Sequence, residues 1–171
     1  MSSLASLQVL LVDDNQHMRA ITATILGSVG IRKLREVKDG AEALEALREF
    51  SADVAIVDFN MFPLDGVEFT RLVRNSQDSA NPYLPIIMMT GHSEKKRVQE
   101  ARDAGVTEFV AKPITAKAIL DRLNAVIFKP RPFVKAEGYF GPCRRRVGGR
   151  PGYNGPLRRA SDQAGADSSA A

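Results

Sequence analysis

Short apolar runs alternate with segments of helical periodicity along residues 1–128 of this 171-residue chain. Four runs are almost continuously apolar, as strands buried on both faces of a parallel sheet should be. A fifth run, residues 33–37, is polar, which favours a position at the edge of the sheet. The pattern predicts five strands, at residues 7–12, 33–37, 54–58, 85–90 and 108–111.

Each gap between these strands, and the segment after the last one, predicts a helix. Asp39 and Thr115 are suitable N-terminal caps, and the third helix is expected to start near Asp65. The fourth, from Ser93, has weak periodicity and a basic face. The periodic residues are Met18, Ile21, Ile25 and Val29; Leu44 and Leu47; Phe69, Leu72 and Val73; Lys96, Val98 and Ala101; Ile119, Leu120, Leu123 and Ile127. The alternation predicts an α/β fold, a doubly wound parallel sheet with helices on both faces.

The chain changes character at Lys129. Residues 129–171 contain 7 Gly and 5 Pro, more than a packed domain normally uses. We therefore expect two parts, a folded domain at 1–128 and a Pro/Gly-rich tail at 129–171 that is largely disordered or extended. No internal repeat is apparent. Aromatic residues could anchor the tail to a partner or to its own domain: Phe133, Tyr139, Phe140 and Tyr153.

The net charge of +4 comes from the tail, which carries +6, whereas residues 1–128 carry −2. Two interpretations of the basic tail stay open: a solubilising extension, or a segment that binds nucleic acid or another anionic surface. Binding of DNA or RNA that disappears at higher salt would favour the second.

Neither a membrane span nor a signal peptide is evident in the sequence. Cys143 is the only cysteine, so no intrachain disulfide can form, and a free thiol fits a reducing compartment. These features predict a cytoplasmic protein.

Polar side chains with distinctive chemistry stand at the carboxyl ends of four predicted strands. They are Asp13, Asp14, Asp58, Thr90 and Lys112. The carboxyl ends of parallel strands share one edge of a sheet, where ligands bind. Clustered carboxylates attract a divalent cation, and Mg²⁺ prefers such oxygen ligands together with phosphate oxygens. The sequence therefore predicts a magnesium and phosphoryl site.

These residues resemble the receiver domain of two-component response regulators, over about residues 7–128. The resemblance rests on motifs in family order: Asp13-Asp14-Asn15, Asp58-Phe59-Asn60-Met61 continuing to Asp65-Gly66, Met89-Thr90-Gly91 and Lys112-Pro113. It implies a CheY-like, flavodoxin-like fold with strand order 2-1-3-4-5. It also implies a stand-alone signalling switch that accepts a phosphoryl group from a sensor histidine kinase or phosphotransfer protein and changes its binding to a downstream protein.

The resemblance also implies a role for each residue. Asp58 is the phosphoacceptor, and Mg²⁺ is held by Asp14 and Asp58, by Asp13 through water, and by the main-chain carbonyl of Asn60. Lys112 binds a phosphoryl oxygen. Thr90 and Phe109 form the switch, and the Lys112–Pro113 bond is often cis in the family.

Phe62 and His92 are two positions that bear on partner choice and on loss of the phosphoryl group. Phe62 stands where the family usually has proline, which places an apolar side chain near the mouth of the pocket and bears on partner choice. His92 occupies a position that influences loss of the phosphoryl group.

An aspartate-nucleophile phosphatase is disfavoured, because Asn60 stands where such enzymes carry their general acid. The protein is therefore expected to catalyse only its own phosphorylation and slow dephosphorylation.

Overall fold

The computed structural model describes residues 4–143, apart from the side chains of residues 92–94. Five parallel strands form one sheet in the order β2-β1-β3-β4-β5, which confirms the predicted fold class and strand order. The polar strand β2 lies at one edge, as its sequence predicts. The strands are β1 (Gln8–Val12), β2 (Lys33–Val37), β3 (Val54–Asp58), β4 (Ile86–Thr90) and β5 (Glu108–Ala111).

Five helices follow the strands in alternation: α1 (Gln16–Ser28), α2 (Gly40–Glu49), α3 (Gly66–Asn75), α4 (Val98–Ala104) and α5 (Ala116–Phe128). Side-chain caps fix where four of them begin, and at α1 the side chain of Asn15 accepts a hydrogen bond from the Met18 amide. Asp39 accepts a hydrogen bond from the Glu42 amide, Asp65 from the Glu68 amide and Thr115 from the Ala118 amide. Each cap satisfies a backbone N–H that has no partner inside the helix. The three predicted helix starts are confirmed.

The fourth helix differs from the prediction. Residues 92–97 form a 3-10 turn, and the α-helix begins only at Val98. The N-cap residue, Arg97, lies directly before the first turn of this helix and makes no side-chain capping hydrogen bond. Helix α4 is therefore short, at seven residues, and depends on its neighbours for stability.

The core lies on both faces of the sheet, because side chains along each buried strand alternate between the two faces. Leu10, Val57 and Met88 pack on one face, towards α2 and α3. Leu11, Ile56 and Met89 pack on the other, against Leu26 of α1 and Ile119 of α5. The strands are thus held rigidly, and so are the polar residues at their carboxyl ends. No helix in the described part of the chain is long and apolar enough to cross a membrane.

The beginning of the tail is folded, and the expectation that the tail as a whole is largely disordered or extended stays a prediction. Strands β6 (Phe133–Ala136) and β7 (Tyr139–Pro142) form an antiparallel hairpin, with Gly138 in the turn at a φ of +75°. Phe133 and Phe140 pack against Tyr83, so the suggested anchoring of the tail to its own domain holds for these two rings. Tyr153 and the rest of 144–171 lie outside the described residues. The boundary at residue 128 stays a prediction.

Gly66, the first residue of α3, lies against the backbone of the strand that carries Asp58. A Cβ atom at this position would be 2.6 Å from the carbonyl oxygen of Asp58 and 2.9 Å from Cε of Met88. A backbone carbonyl in a central strand cannot move aside without disturbing the sheet, so only glycine fits here.

We predict that Gly66→Ala lowers the free energy of unfolding by about 1–3 kcal/mol, the usual effect of overpacking. Gly27→Ala is the matched control, because a Cβ atom on Gly27 would meet nothing within 4 Å. This helical substitution should raise stability by about 0.5–1 kcal/mol. Urea unfolding of both variants tests the prediction, and equal effects would contradict it.

Candidate functional site

The three aspartates predicted to meet do so at the carboxyl edge of the sheet. Asp13 and Asp14 follow β1, and Asp58 ends β3, the neighbouring strand. One carboxylate oxygen from each residue lies within 4.8 Å of the other two. Asp13 and Asp58 are buried, whereas Asp14 is exposed. Two carboxylates of the cluster are therefore buried in the fold, and the third is in contact with solvent.

Asp13 carries a buried polar atom that has no partner among the described residues. Its Oδ1 accepts a hydrogen bond from the Asn15 amide at 2.9 Å, and the carbonyl oxygen accepts one from Arg19 at 2.7 Å. Its Oδ2 is buried, and no group in residues 4–143 forms a hydrogen bond with it. Burial raises the pKa of Asp13. A buried carboxylate oxygen without a partner is unfavourable unless a cation or water satisfies it.

Asp58 is paired with Lys112, whose Nζ donates to Oδ1 of Asp58. Burial raises the pKa of Asp58 to about 6, although the ammonium of Lys112 acts in the opposite direction. Desolvation of the carboxylate thus outweighs the attraction of the lysine. Lys112 is positioned by the end of β5 and by its backbone N–H, which donates to the carbonyl oxygen of Thr90 at 2.7 Å. The Lys112–Pro113 peptide bond is cis, as the family resemblance implies.

The remaining predicted residues lie around this pair. Thr90 ends β4, the strand beside β3, and is half-buried. Phe109 in β5 is half-buried and packs against the core, with the guanidinium of Arg102 5.8 Å from its ring centre. Asn60 lies in the exposed loop after β3, and the proposed ligation by its carbonyl stays a prediction. The side chain of His92 lies outside the described residues.

The donor set fits a hard divalent cation. It consists of carboxylate oxygens from three residues, one of them buried and unsatisfied, and such oxygens are the ligands that Mg²⁺ prefers. Repulsion among the carboxylates, which contributes to the raised pKa values of Asp13 and Asp58, would be relieved by a positive ion. Phe62 is 84% exposed and lies in the loop that follows Asp58, and its expected position near the mouth of the pocket stays a prediction.

Arg97 adds a connection that the sequence does not reveal. Its guanidinium lies 4.9 Å from the ring centre of Phe59, the residue after Asp58. It also pairs with Asp65, the cap of α3, at 3.3 Å and with Glu100 of α4 at 3.1 Å. In the sequence, Arg97 is one of several adjacent charges typical of a solvated helix face. Nothing in the local pattern indicates that it joins α3 and α4 near the end of β3.

The doubly wound sheet, with acidic residues and a lysine at its carboxyl edge, defines a class of proteins that handle phosphoryl groups with a cation. The sequence matches the response regulator receiver domain family over residues 9–124. The chain belongs to this family, whose members are signalling switches rather than enzymes in the usual sense.

The chain is similar to chemotaxis proteins of the CheY type. It is 30% identical to CheY-3 of Vibrio cholerae over 121 residues, covering 71% of this chain and 92% of that protein. It is 32% identical to CheY of Pseudomonas aeruginosa over 120 residues, covering 70% of this chain and 95% of that protein.

Solved structures agree with these matches. The structure of V. cholerae CheY4 has a TM-score of 0.64 and 31% identity, and the match covers 71% of this chain and 98% of that one. The receiver domain of a P. aeruginosa sensor histidine kinase, with a magnesium ion coordinated in its active-site cleft, has a TM-score of 0.62 and 27% identity. That match covers 69% of this chain and 94% of the other.

The raised pKa of Asp58 predicts a pH-dependent stability. The folded protein holds a proton on Asp58 more tightly than the unfolded chain does. The stabilisation by this proton is therefore complete below pH about 4 and lost as the pH rises through about 6. In metal-free buffer at pH 7.5, Asp58→Asn should raise the free energy of unfolding by on the order of 2 kcal/mol. The gain should shrink towards pH 4, and urea unfolding at both pH values tests it. Loss of stability at pH 7.5 would show that the pairing with Lys112 dominates.

Proposed function

We propose that this protein is a phosphorylation-dependent signalling switch in which Asp58 is the phosphoacceptor. The observation that carries the proposal is the pairing of the buried Asp58 carboxylate with Lys112, at the same edge as Asp13 and Asp14. The donor is a phosphohistidine of a sensor histidine kinase or phosphotransfer protein. A carboxylate oxygen of Asp58 attacks phosphorus, a P–O bond forms, and the P–N bond breaks with its electron pair returning to the imidazole.

Asp13, Asp14 and Asp58, with the carbonyl of Asn60, would hold Mg²⁺ at this edge. The ion supplies neutralisation of negative charge on the transferring phosphoryl group. The Oδ2 atom of Asp13 supports this assignment, because it is buried and has no partner in the described part of the chain. The structure of a related receiver domain with magnesium in its cleft supports it independently.

Lys112 would exchange its bond to Asp58 for one to a phosphoryl oxygen, which it binds as a point charge. Thr90 would donate its hydroxyl hydrogen to another phosphoryl oxygen. Its backbone carbonyl already accepts from the Lys112 amide, so the two residues are connected. Movement of Thr90 would leave space on the side of β4 that faces β5, and Phe109 would turn inwards to fill it.

The output is a change of binding at the face formed by α4, β5 and α5. A downstream protein reads the switch only if it binds the two states with different affinity. We place the protein in the cytoplasm, where its phosphodonor would act.

Phosphoryl uptake tests the assignment directly. Asp58→Asn should take up no label from acetyl phosphate in the presence of Mg²⁺, because the amide is not a nucleophile for phosphorus. The control is Asp121→Asn, a change at an exposed residue of α5 far from the strand ends, which should be labelled like the native chain. Persistent labelling of the Asp58 variant would move the acceptor to another residue.

Thr90→Ala separates phosphorylation from switching. The variant should still be labelled, with uptake reduced about fivefold by the loss of one hydrogen bond worth about 1 kcal/mol. In the native chain, the NMR signals of the Phe109 ring should change when Mg²⁺ and beryllium fluoride, a mimic of the phosphoryl group, are added. This change should be absent in Thr90→Ala. Thr24→Ala in α1 is the matched control, because its hydroxyl bonds only within the helix. A full response from Thr90→Ala would assign the switch to another group.

A further inference from the structure

A buried arginine lies at the end of the domain opposite Asp58. Arg74, in the last turn of α3, is only 3% exposed. Its Nε donates to the carbonyl oxygen of Gly105 at 3.0 Å and its Nη1 to that of Pro82 at 2.9 Å. No carboxylate of the described residues forms an ion pair with it. Burial lowers the pKa of Arg74 to about 10. A cation buried against neutral acceptors is stable only while those acceptors and its cover stay in place.

The cover is the β6–β7 hairpin. The ring centre of Phe133 lies 4.9 Å from the guanidinium of Arg74. Phe133 and Phe140 also contact Tyr83, with ring centres 5.1 and 5.5 Å apart in edge-to-face geometry. Edge-to-face contacts of this kind stabilise a structure beyond the area they bury. The hairpin is therefore a packed part of the domain, although its sequence has the composition of a flexible tail.

The hairpin contacts α4 backbone to backbone. Gly105 ends α4 with a φ of +108°, and a Cβ atom there would be 3.2 Å from the carbonyl oxygen of Phe140. A Cβ atom on Gly141 would be 3.0 Å from Cα of Gly105 and 2.7 Å from the hydroxyl of Tyr139. No side chain lies between the two glycines to absorb a shift. The fit is thus specific to one position of the end of α4.

The sequence around this contact occurs twice, contrary to the expectation that the chain has no internal repeat. Gly-Tyr-x-Gly-Pro-x-Arg-Arg stands at 138–145 and again at 152–159. The structure explains the first copy: Gly138 makes the turn, the Tyr139 hydroxyl donates to the Pro142 carbonyl, and Gly141 allows the close approach. The second copy has Asn154 where the first has Phe140. It lacks the ring that contacts Tyr83, so the first copy is the one suited to this surface.

Helix α4 is thus joined to α3 at both ends. Near Asp58, Arg97 links Glu100 of α4 to Asp65 and to the ring of Phe59. At the far end, Arg74 and the hairpin hold Gly105. We propose that the β6–β7 hairpin is a built-in clasp on the carboxyl end of α4, which opposes the switch that phosphorylation of Asp58 drives. This inference rests on the proposed function.

The direction of the effect follows from the state that the clasp fits. In the structure, Asp58 is unphosphorylated and its carboxylate is paired with Lys112. The hairpin fits the position that α4 has in this state. Phosphorylation of Asp58, which converts the carboxylate to an acyl phosphate, would remove this pairing, and any shift of α4 that follows would disrupt the contact at Gly105. The clasp therefore stabilises the free carboxylate state, and loosening it should favour the phosphorylated state. Coupling of this kind is reciprocal, so binding of a phosphoryl group should also loosen the hairpin.

The first expectation is that loosening the hairpin favours the phosphorylated state. It is tested by the affinity of the full chain for beryllium fluoride, a phosphoryl mimic, in the presence of Mg²⁺. Phe140→Asn converts the first copy of the motif into the second at the decisive position. Gly141→Ala disturbs the same contact from the backbone side. Each should bind the mimic about fivefold more tightly than the native chain, the lower end of typical coupling. The matched control is Glu137→Gln in the exposed turn of the hairpin, outside the paired residues, which should bind like the native chain.

The reactivity of the Cys143 thiol measures the reverse effect, which is loosening of the hairpin when a phosphoryl mimic binds. It is the only cysteine in the chain, and its backbone pairs with Pro132 and Arg131 at the base of the hairpin. Alkylation of this half-buried thiol by iodoacetamide follows the population of the open hairpin when opening and closing are fast. It should be faster in both loosened variants, and in the native chain about fivefold faster with beryllium fluoride and Mg²⁺ than without.

The outcomes separate the two proposals. A native chain that fails to bind beryllium fluoride would overturn the assignment of Asp58 as phosphoacceptor. If the native chain binds it and both loosened variants bind no more tightly than Glu137→Gln, the clasp is wrong and the phosphoacceptor stands. If Phe140→Asn does not fold, Gly141→Ala decides. An unchanged alkylation rate on adding the mimic would also overturn the coupling.

Discussion

The burial of two carboxylates beside one lysine is the constraint on which the rest of this structure depends. Asp13 and Asp58 lie at the ends of adjacent strands, where burial raises the pKa of both, and Lys112 partly offsets that effect at Asp58. An apolar sheet can hold such an arrangement because both of its faces are packed, which fixes the strand ends. Buried carboxylates with raised pKa values are typical of functional sites, and they support the proposed binding of a cation and a phosphoryl group.

The parts that the sequence predicts are those governed by local rules. Apolar runs mark the strands, and a strand that ends in a polar residue places that residue at a known edge of the sheet. Caps such as Asp39 and Thr115 bond to an amide three residues away, so their role can be read without the fold. The family resemblance adds the strand order, which brings β1 next to β3 and thus Asp13 next to Asp58.

The parts that it does not predict depend on contacts between distant residues. Arg97 belongs to a basic run in sequence, but in the fold it reaches Phe59 and Asp65. The hairpin has the Gly and Pro content of a disordered segment. Here glycine serves close packing instead, since Gly141 lies against Gly105, and the rings that stabilise the hairpin come from both the tail and Tyr83. Composition cannot distinguish these two uses of glycine.

Helix α4 is the element on which these contacts converge, and its sequence explains why it needs them. It has seven residues, no side-chain cap at its start, and a 3-10 turn before it. A helix with so little stability of its own is positioned by its surroundings, and elements of low local stability are those that move in regulated transitions. The guanidinium of Arg97 acts on one end of α4, and Arg74 with the hairpin acts on the other. In the proposed switch, a signal at Asp58 would work against both attachments. The hairpin comes from residues beyond the family match, which ends at residue 124, whereas Arg74 lies within that match.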